Sequence, residues 1–92
     1  MPFTVRYHPD VKSVDIPRIN AKMRERIRKA IESRLMTAPH EYGHHLRKTL
    51  KGYWKLRVGD YRVVFKIEEE FVYILGIRHR RSIYGDVTGR VK

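Results

Sequence analysis

The feature that most constrains the fold is a change in the spacing of apolar residues at Gly52. In residues 18–36 the apolar side chains recur every three or four positions, which predicts one amphipathic helix. Asp15-Ile16-Pro17 precedes this segment and is typical of a helix start, because proline fits the first helical turn. After Gly52 apolar and polar residues alternate, which is the period of a strand with one buried face. A helical segment followed by extended segments predicts the α+β class.

The alternating segment predicts a β-hairpin whose register follows from its turn. Gly59-Asp60 is a two-residue turn with glycine first, as type II′ hairpins prefer, and it places Arg57 opposite Arg62. The apolar side chains of both strands then share one face, which we expect to lie under the helix. The opposite face carries the remaining side chains, namely Tyr53, Lys55, Arg57, Arg62, Val64 and Lys66.

The other segments complete a small two-layer domain. Residues 3–7 predict a first strand, and residues 9–15 predict one or two helical turns. Residues 71–77 are nearly all apolar and predict a central strand covered on both faces. Residues 82–87 are predicted to add a short last strand or a turn. We therefore expect a single domain over residues 1–92, with a twisted antiparallel sheet of about four strands packed against an N-terminal helical pair.

The charge of the chain predicts a polyanionic partner. The 92 residues include 21 Lys and Arg but 10 Asp and Glu, for a net charge of +11, while 41% hydrophobic residues are enough for a folded core. A folded domain with this surplus repels itself at low salt. Nucleic acid is the first candidate partner, followed by an acidic protein or a membrane surface. The cations on the outer face of the long helix either contact RNA phosphates or are solvated.

Several classes of site are excluded or disfavoured by the residues present. The chain has no cysteine, which excludes disulfides, thiolate metal sites and cysteine nucleophiles. His40 and His44 have the spacing of a helical metal-binding pair, but Pro39 and Gly43 argue against a regular helix there, so we expect no metal. No phosphate-cradling loop or dinucleotide fingerprint is present, so we expect no cofactor. Without a signal peptide or a run of about 18 apolar residues, we expect a cytoplasmic protein and no membrane partner.

Positive charge and aromatic rings occur together in two places. Arg57 faces Arg62 on the hairpin face that also carries Tyr53, and arginine can bind phosphate oxygens through two hydrogen bonds. Residues 78–84, Arg-His-Arg-Arg-Ser-Ile-Tyr, follow the central strand. Cations interleaved with aromatic rings suit RNA, because phosphates bind the cations and bases stack on the rings. The alternative, a solvated outer face with splayed side chains, stays open at this point.

Three segments of the chain resemble the RelE/ParE toxin superfamily, and its RelE branch in particular. They are residues 7–9, Tyr-His-Pro; residues 50–65, which contain the hairpin; and residues 76–84, Gly-Ile-Arg-His-Arg-Arg-Ser-Ile-Tyr. Together with the basic helix they cover nearly the whole chain in the expected order. The resemblance implies a twisted antiparallel sheet backed by helices. It also implies a ribosome-dependent endoribonuclease that cuts messenger RNA without a metal and is held inactive by an acidic antitoxin.

The resemblance also assigns cleavage residues. The hairpin lysine of the family matches Lys55, the arginine after the turn matches Arg62, and the tyrosine near the end of the chain matches Tyr84. A further arginine stays open between two positions: an ungapped match favours Arg78, and the spacing to the tyrosine favours Arg80. A second family lysine falls on a tyrosine here, at position 53, which puts phosphate stabilisation in doubt unless a neighbouring arginine compensates.

These residues suit a reaction in which the RNA 2′-hydroxyl attacks the adjacent phosphate. Lys55 and Arg62 would hold the phosphate and stabilise charge on its oxygens. Tyr84 or a lysine of lowered pKa would take the 2′-hydroxyl proton. Arg80 or His79 would face the departing 5′-oxygen, and histidine is the easier acid because the pKa of arginine exceeds about 12. We expect further RNA contacts from Tyr53, Arg57, Lys66, Arg78 and Arg81.

Two other functions remain possible for a chain of this kind. One is the inhibition of DNA gyrase, which is the ParE-like role; the other is a catalytically silent module that binds RNA or an antitoxin. ParE members share the fold but generally lack the cleavage residues. The presence of Lys55, Arg62 and Tyr84 therefore favours RNA cleavage.

Overall fold

The computed structural model of the chain describes residues 2–47 and 50–91. Its strands are β1 (Thr4–Tyr7), β2 (His44–His45), β3 (Trp54–Val58), β4 (Tyr61–Glu68) and β5 (Phe71–His79). Between β1 and β2 lie the π-helical segment α1 (Val11–Asp15) with a following 3-10 turn (Ile16–Arg18), the helix α2 (Ala21–Ala30) continued by a π-helical turn (Ile31–Leu35), and the short helix α3 (Pro39–Tyr42). Helix α4 (Ile83–Thr88) follows β5. Among these described residues, no helix has the length and apolar character that crossing a membrane requires.

The five strands form one sheet in the order β1-β5-β4-β3-β2. The predicted hairpin register is confirmed, with Arg57 opposite Arg62 across the Gly59-Asp60 turn. The α+β class is confirmed as well, but the sheet has five strands rather than about four. It is also mixed rather than antiparallel, because β1 lies parallel to β5 with Tyr7 opposite Ile74. The helices between the two strands provide the long crossover that a parallel pair needs.

The main core lies between the helices and one face of the sheet. Ile27, Ile31 and Leu35 from the long helix pack against Val63 and Phe65 of the central hairpin strand. All of these side chains are buried, as the helical and alternating patterns predict. This layer holds the hairpin rigidly, so the side chains that alternate with the core residues must project from the opposite face.

Helix α4 covers part of that opposite face. Ile83 and Val87 of α4 form a second, smaller core with Val64 and Leu75 of the sheet. The prediction of a last strand or turn over residues 82–87 is therefore wrong. Gly76 explains the close approach: a Cβ atom at this position would lie 2.2 Å from the Val87 Cγ1 atom. A short helix can dock here because the strand beneath it has no side chain at that point.

The long helix begins later than the sequence suggested. Ile19 is extended (φ −102°, ψ 133°), and the Asn20 side chain accepts a hydrogen bond from the Met23 N–H at 2.9 Å, which caps α2. Pro17 lies in the 3-10 turn before this break. The predicted helix start at Asp15-Ile16-Pro17 is confirmed for the 3-10 turn, but the long helix is a separate segment that starts at Ala21. The Asp15 side chain makes no capping hydrogen bond; its buried carboxylate accepts the Ile77 N–H of β5 at 2.9 Å.

Candidate functional site: a cationic sheet face beside helix α4

A row of three arginines crosses three neighbouring strands. Arg57 on β3 is opposite Arg62 on β4, which is in turn opposite Arg78 on β5. Like charges directly opposite each other destabilise a sheet. The three side chains differ in their surroundings, since Arg57 is exposed, Arg62 is half-buried, and the Arg78 side chain is 15% exposed. The groups that contact each guanidinium therefore determine whether that arginine is structural or available to a ligand.

Arg78 is bound on both sides by carboxylates. Its guanidinium lies 3.3 Å from Asp15 Oδ1 and 2.8 Å from Asp86 Oδ2. The first carboxylate is buried in α1, and the second belongs to α4. The hypothesis that Arg78 binds RNA or faces the departing oxygen does not fit this placement, because its charge is already neutralised within the fold.

Arg62 has no carboxylate partner among the described residues, and neither does Arg57 or Lys55. The Arg62 guanidinium donates hydrogen bonds to the carbonyl oxygens of Gly59, at 3.0 Å, and Tyr61, at 2.9 Å. These neutral acceptors orient Arg62 but leave its charge uncompensated. Lys55, Arg57 and Arg62 therefore form a positive surface, which we call the cationic face.

Val64 is fully buried beside the cationic face and relates it to helix α4. Lys55 is directly opposite Val64 on the neighbouring strand, and Arg62 comes two residues before Val64 on the same strand and face. Val64 belongs to the small core against which Tyr84 and Tyr53 both pack. The fold thus brings Lys55, Arg62 and Tyr84 to one region although they are far apart in the sequence.

The rotation of α4 explains why Tyr84 lies on this side. In a helix, residues two apart are rotated by about 200° from each other, so Tyr84 and Asp86 lie on opposite flanks of α4. Asp86 contacts Arg78, whereas Tyr84 packs against the cluster that contains Val64. The phenol ring is therefore on the flank of α4 that faces β4 and β3, where the cationic face lies.

His79 lies on the other face of the sheet. It is opposite Tyr61, whose ring centroid is 5.8 Å away and which packs against the main core. Its Nδ1 atom accepts the Arg81 N–H at 3.2 Å. Because successive side chains of a strand alternate between faces, His79 and Arg78 cannot share one. The hypothesis that His79 is the acid of the cleavage site is therefore not supported by its position.

Arg80 and Arg81 are exposed at the end of β5, beside the hairpin turn. The Arg80 N–H donates to the Asp60 carbonyl oxygen at 2.8 Å, and its Nε atom lies 3.7 Å from Asp60 Oδ1. Both side chains of this pair are more than half exposed, so the contact is weak. Of the two arginines left open by the sequence, Arg80 is the one whose guanidinium remains accessible.

Tyr53 and Lys66 lie at the opposite end of the cationic face. Both line a cleft of about 540 Å³ that also contains Tyr73 and Arg90. The Lys66 ammonium is 3.3 Å from Glu68 Oε2 and 5.4 Å from the centre of the Tyr73 ring. Lys66 is thus partly neutralised, whereas Tyr53 offers a half-buried ring next to the Val64 cluster.

One residue on this face was missed by the sequence analysis. His44 is exposed on β2 directly opposite Lys55, so its imidazole shares the cationic face. The two-residue strand β2 has no sequence signature of its own. His45, the next residue, turns to the other face and lies 3.8 Å from the Trp54 ring, centroid to centroid. Within residues 2–47 and 50–91, no group of three or more His, Asp or Glu side chains could hold a metal ion.

The long helix separates its charged residues into two groups. Arg28 donates to Glu25 at 3.1 Å and to Glu32 at 2.9 Å, and these contacts raise the pKa of Arg28 and lower that of Glu25. A cleft of about 210 Å³ lies between the helix and the hairpin, and no acidic residue lines it. The cations that line this cleft are Arg26, Lys29, Arg34 and Arg57. Arg57 thus lies at the border between the cationic face and this second positive surface.

The chain is similar to known toxins in both sequence and fold. Residues 5–84 match the family model described as the ParE toxin of type II toxin-antitoxin system, parDE. Toxin RelG from Mycobacterium tuberculosis is 30% identical over 86 residues, which cover 91% of this chain and 98% of that protein. The toxin-antitoxin complex RelBE2 from Mycobacterium tuberculosis contains a chain with a TM-score of 0.79 and 28% identity, over 87% of this chain and 93% of that chain. A mutant of Escherichia coli toxin RelE in the free state has a TM-score of 0.74 and 16% identity over 100% of both chains, which is a likeness of fold. The chain therefore belongs to the RelE/ParE family of toxins of type II toxin-antitoxin systems.

Proposed function

We propose that this protein is an endoribonuclease that cuts messenger RNA on the ribosome, using the cationic face and Tyr84. The observation that supports the proposal is the position of Val64, which is paired with Lys55, follows Arg62 by two residues on β4 and belongs to the small core against which Tyr84 packs. A gyrase inhibitor would have no need of an uncompensated arginine and lysine beside a phenol. The net charge of +11 supports a nucleic-acid substrate of this kind.

Arg62 and Lys55 would bind the scissile phosphate. In the free protein the Arg62 guanidinium donates to two neutral carbonyl oxygens. A phosphate oxygen is a stronger acceptor, because hydrogen bonds between charged groups are roughly twice as strong as neutral ones. As the 2′-oxygen bonds to phosphorus, negative charge grows on the non-bridging oxygens, and these two cations would stabilise it.

The remaining residues would act on the attacking 2′-hydroxyl and on the departing 5′-oxygen. Tyr84, reacting as the phenolate, would take the proton of the 2′-hydroxyl, whose oxygen then attacks the phosphorus. The bond from phosphorus to the 5′-oxygen breaks, and this oxygen takes a proton from solvent water to become a 5′-hydroxyl. The other product is a 2′,3′-cyclic phosphate. We assign Arg80 to stabilising the charge on the departing oxygen by hydrogen bonding, because its guanidinium is exposed, whereas His79 lies on the other face. No metal enters this scheme.

The substrate strand would also contact residues around the reacting phosphate. Arg57 and Arg81 are exposed, and Tyr53 offers a ring for stacking. Lys66, paired with Glu68, would contribute less. The cations of the helix cleft would bind phosphates of ribosomal RNA, because that cleft contains no acid to compete with them.

We infer further that an acidic antitoxin inhibits the protein. The surfaces that would bind RNA are uncompensated cations, so a protein rich in carboxylates would cover the same residues. The RelBE2 structure to which this chain is similar is a toxin-antitoxin complex. We expect the complex with the antitoxin to bind RNA more weakly than the free toxin does.

A second candidate function is inhibition of DNA gyrase. It is favoured by the family model that matches residues 5–84, which is described as that of the ParE toxin. A gyrase inhibitor would leave messenger RNA intact and would slow the supercoiling of plasmid DNA by gyrase.

The test of the proposed function is primer extension on a messenger RNA translated in vitro, with chelator in the quenched samples. The native protein should create new 5′ ends within the coding region only while translation proceeds. The Arg62→Ala variant should reduce them by about 10²–10³-fold, the usual effect of removing one donor to a developing oxyanion. Arg6→Ala is the matched control, because Arg6 is an exposed arginine on the distant strand β1. Full-length message with the native protein would reject the proposal, and a gyrase supercoiling assay would follow.

A further inference from the structure

A buried ion pair joins the C-terminal residues of the chain to helix α1. Arg90 donates hydrogen bonds to both oxygens of the Asp15 carboxylate, at 2.8 Å and 2.9 Å, and a third to the Leu75 carbonyl at 3.2 Å. The Arg90 side chain is 8% exposed and the Asp15 side chain is fully buried. Hydrogen bonding to Asp15 raises the pKa of Arg90. A bidentate pair of this kind fixes the orientation of both groups.

Helix α4 is short, and this ion pair lies directly beyond its C-terminal end. The helix has six residues, and a helix this short is not stable by itself in water. Its buried residues are Ile83 and Val87. Arg90 follows directly after α4, and its guanidinium would lie 3.2 Å from a Cβ atom placed on Gly76. The ion pair therefore fastens the end of the helix to the same strand on which Val87 rests.

Asp86 fastens the flank of α4 that is opposite Tyr84. Its carboxylate is 2.8 Å from Arg78, and Arg78 also contacts Asp15. Arg90 Nε also lies 3.6 Å from Asp10 Oδ2. The five residues Asp10, Asp15, Arg78, Asp86 and Arg90 thus form one network, which we call the Asp15 network. With its end and one flank held by this network, α4 cannot rotate about its axis. The contacts that orient the Tyr84 ring are therefore on the flank of α4 opposite the ring.

We propose that Asp15 and Arg90 are positioning residues for Tyr84: their ion pair holds α4 on the sheet, so that the Tyr84 phenol stays beside Lys55 and Arg62. This inference rests on the proposed function. Neither Asp15 nor Arg90 would bind the scissile phosphate, because the Asp15 side chain is fully buried and the Arg90 guanidinium is already bonded to it. A displacement of a reacting group by about 1 Å can reduce a rate by about 10²-fold, so a loosened α4 would lower the rate without weakening RNA binding.

The test uses Arg90→Met in the full-length protein, because methionine keeps an apolar stem while Asp15 retains its bonds to Ile77 and Arg78. Amide hydrogen exchange should become faster in α4, and the single-turnover cleavage rate should fall by about tenfold or more. The dissociation constant for a non-cleavable RNA should change by less than about twofold. Arg90→Lys, which keeps the charge, should recover part of both losses.

A double-mutant cycle separates positioning from a general loss of structure. If Arg90 acts through Tyr84, then Tyr84→Phe combined with Arg90→Met should cleave no more slowly than Tyr84→Phe alone. If the two losses multiply instead, the inference is wrong. Should Arg90→Met fail to fold, Asp86→Asn serves in its place, because this carboxylate is 35% exposed and holds the same helix.

The control is Arg81→Met, which removes an exposed arginine near the start of α4. Its α4 amides should exchange as slowly as those of the native protein. Unchanged exchange in Arg90→Met would overturn the inference while leaving the proposed function intact. Absence of cleavage by the native protein would overturn the proposed function, and with it the role of Arg90 in positioning a catalytic tyrosine.

Discussion

Arg62 and Arg78 are direct neighbours on adjacent strands, yet their surroundings are opposite. Arg78 lies between two carboxylates, one from α1 and one from α4. Within the part of the chain that the structure describes, the Arg62 guanidinium donates hydrogen bonds to the carbonyl oxygens of Gly59 and Tyr61 and has no carboxylate partner. A basic residue in this protein is therefore structural where a distant segment supplies an acidic partner. It is available to a ligand where no segment supplies such an acid. Sequence proximity to other cations does not distinguish the two.

The largest effect should come from removing the acid of the structural region. Asp15→Asn removes the buried carboxylate shared by Arg78 and Arg90 and leaves them only their more exposed partners, Asp86 and Asp10. Breaking a buried pair costs about 3–5 kcal/mol. For a chain of this size the melting temperature should fall by more than about 12 °C. Thermal unfolding followed by circular dichroism measures this.

Asp60→Asn is the matched control for that experiment. It breaks an ion pair with Arg80 whose side chains are 71% and 51% exposed, and exposed pairs contribute at most about 1 kcal/mol. Equal losses of stability in Asp15→Asn and Asp60→Asn would mean that the Asp15 network does not hold the fold.

The next prediction compares the two arginines by replacing each of them with glutamine. Arg62→Gln should reduce cleavage by about 10²–10³-fold and change the free energy of unfolding by less than about 1 kcal/mol, because it removes bonds to carbonyl oxygens that water can replace. Arg78→Gln should do the reverse, with a loss of about 1–3 kcal/mol in unfolding free energy and a smaller effect on the chemical step. Urea unfolding and single-turnover cleavage of both variants give the four values. If Arg78→Gln lost cleavage as completely as Arg62→Gln, the distinction between the two regions would be wrong.

The long helix allows the same distinction to be tested by salt dependence. Arg26 and Lys29 line the cleft without acids, so replacing both with Gln should reduce the slope of log affinity against log salt by about two. Arg28 is already bound by Glu25 and Glu32, and Arg28→Gln should leave the slope nearly unchanged. Binding of a non-cleavable ribosomal RNA fragment at several salt concentrations measures both. Equal changes of slope would show that the ion pairs of Arg28 open on binding.

The smallest effect concerns the half-buried phenol of Tyr7. Burial, and to a lesser degree Glu32, raises the pKa of Tyr7 above 10.0. The folded state therefore favours the neutral phenol, and the unfolded chain ionises first. Stability should be fully present below about pH 10 and be lost as the pH rises through the folded pKa, with a slope of at most about 1.4 kcal/mol per pH unit.

Tyr7→Phe should remove this part of the pH dependence. Urea unfolding between about pH 8 and about pH 11 compares the two proteins. If both lose stability equally over this range, the phenol of Tyr7 does not contribute and other groups cause the alkaline loss.

Much of the cationic face could be predicted because it depends on local rules. The Gly59-Asp60 turn fixes the hairpin register, and strand alternation then places Lys55, Arg57 and Arg62 on one face. The same rules do not extend to β5, because an irregularity between Val64 and Phe65 shifts the register of β5 against β4. Regular pairing continued from Glu68 and Phe71 would put Arg78 opposite Tyr61, whereas the structure puts His79 there, so the faces on which Arg78 and His79 lie depend on this shift.

The class of the fold, the hairpin register and the surplus of positive charge on the hairpin follow from the sequence alone, because turn geometry and periodicity act over a few residues. The parallel pairing of β1 with β5, the helix at residues 83–88 and the place of His44 on the cationic face depend on tertiary contacts. So does the question of which arginines are structural. The Arg90 and Asp15 partners are 75 residues apart, and a carboxylate that distant selects its arginine through the packing of the whole domain, which no local pattern in the chain encodes.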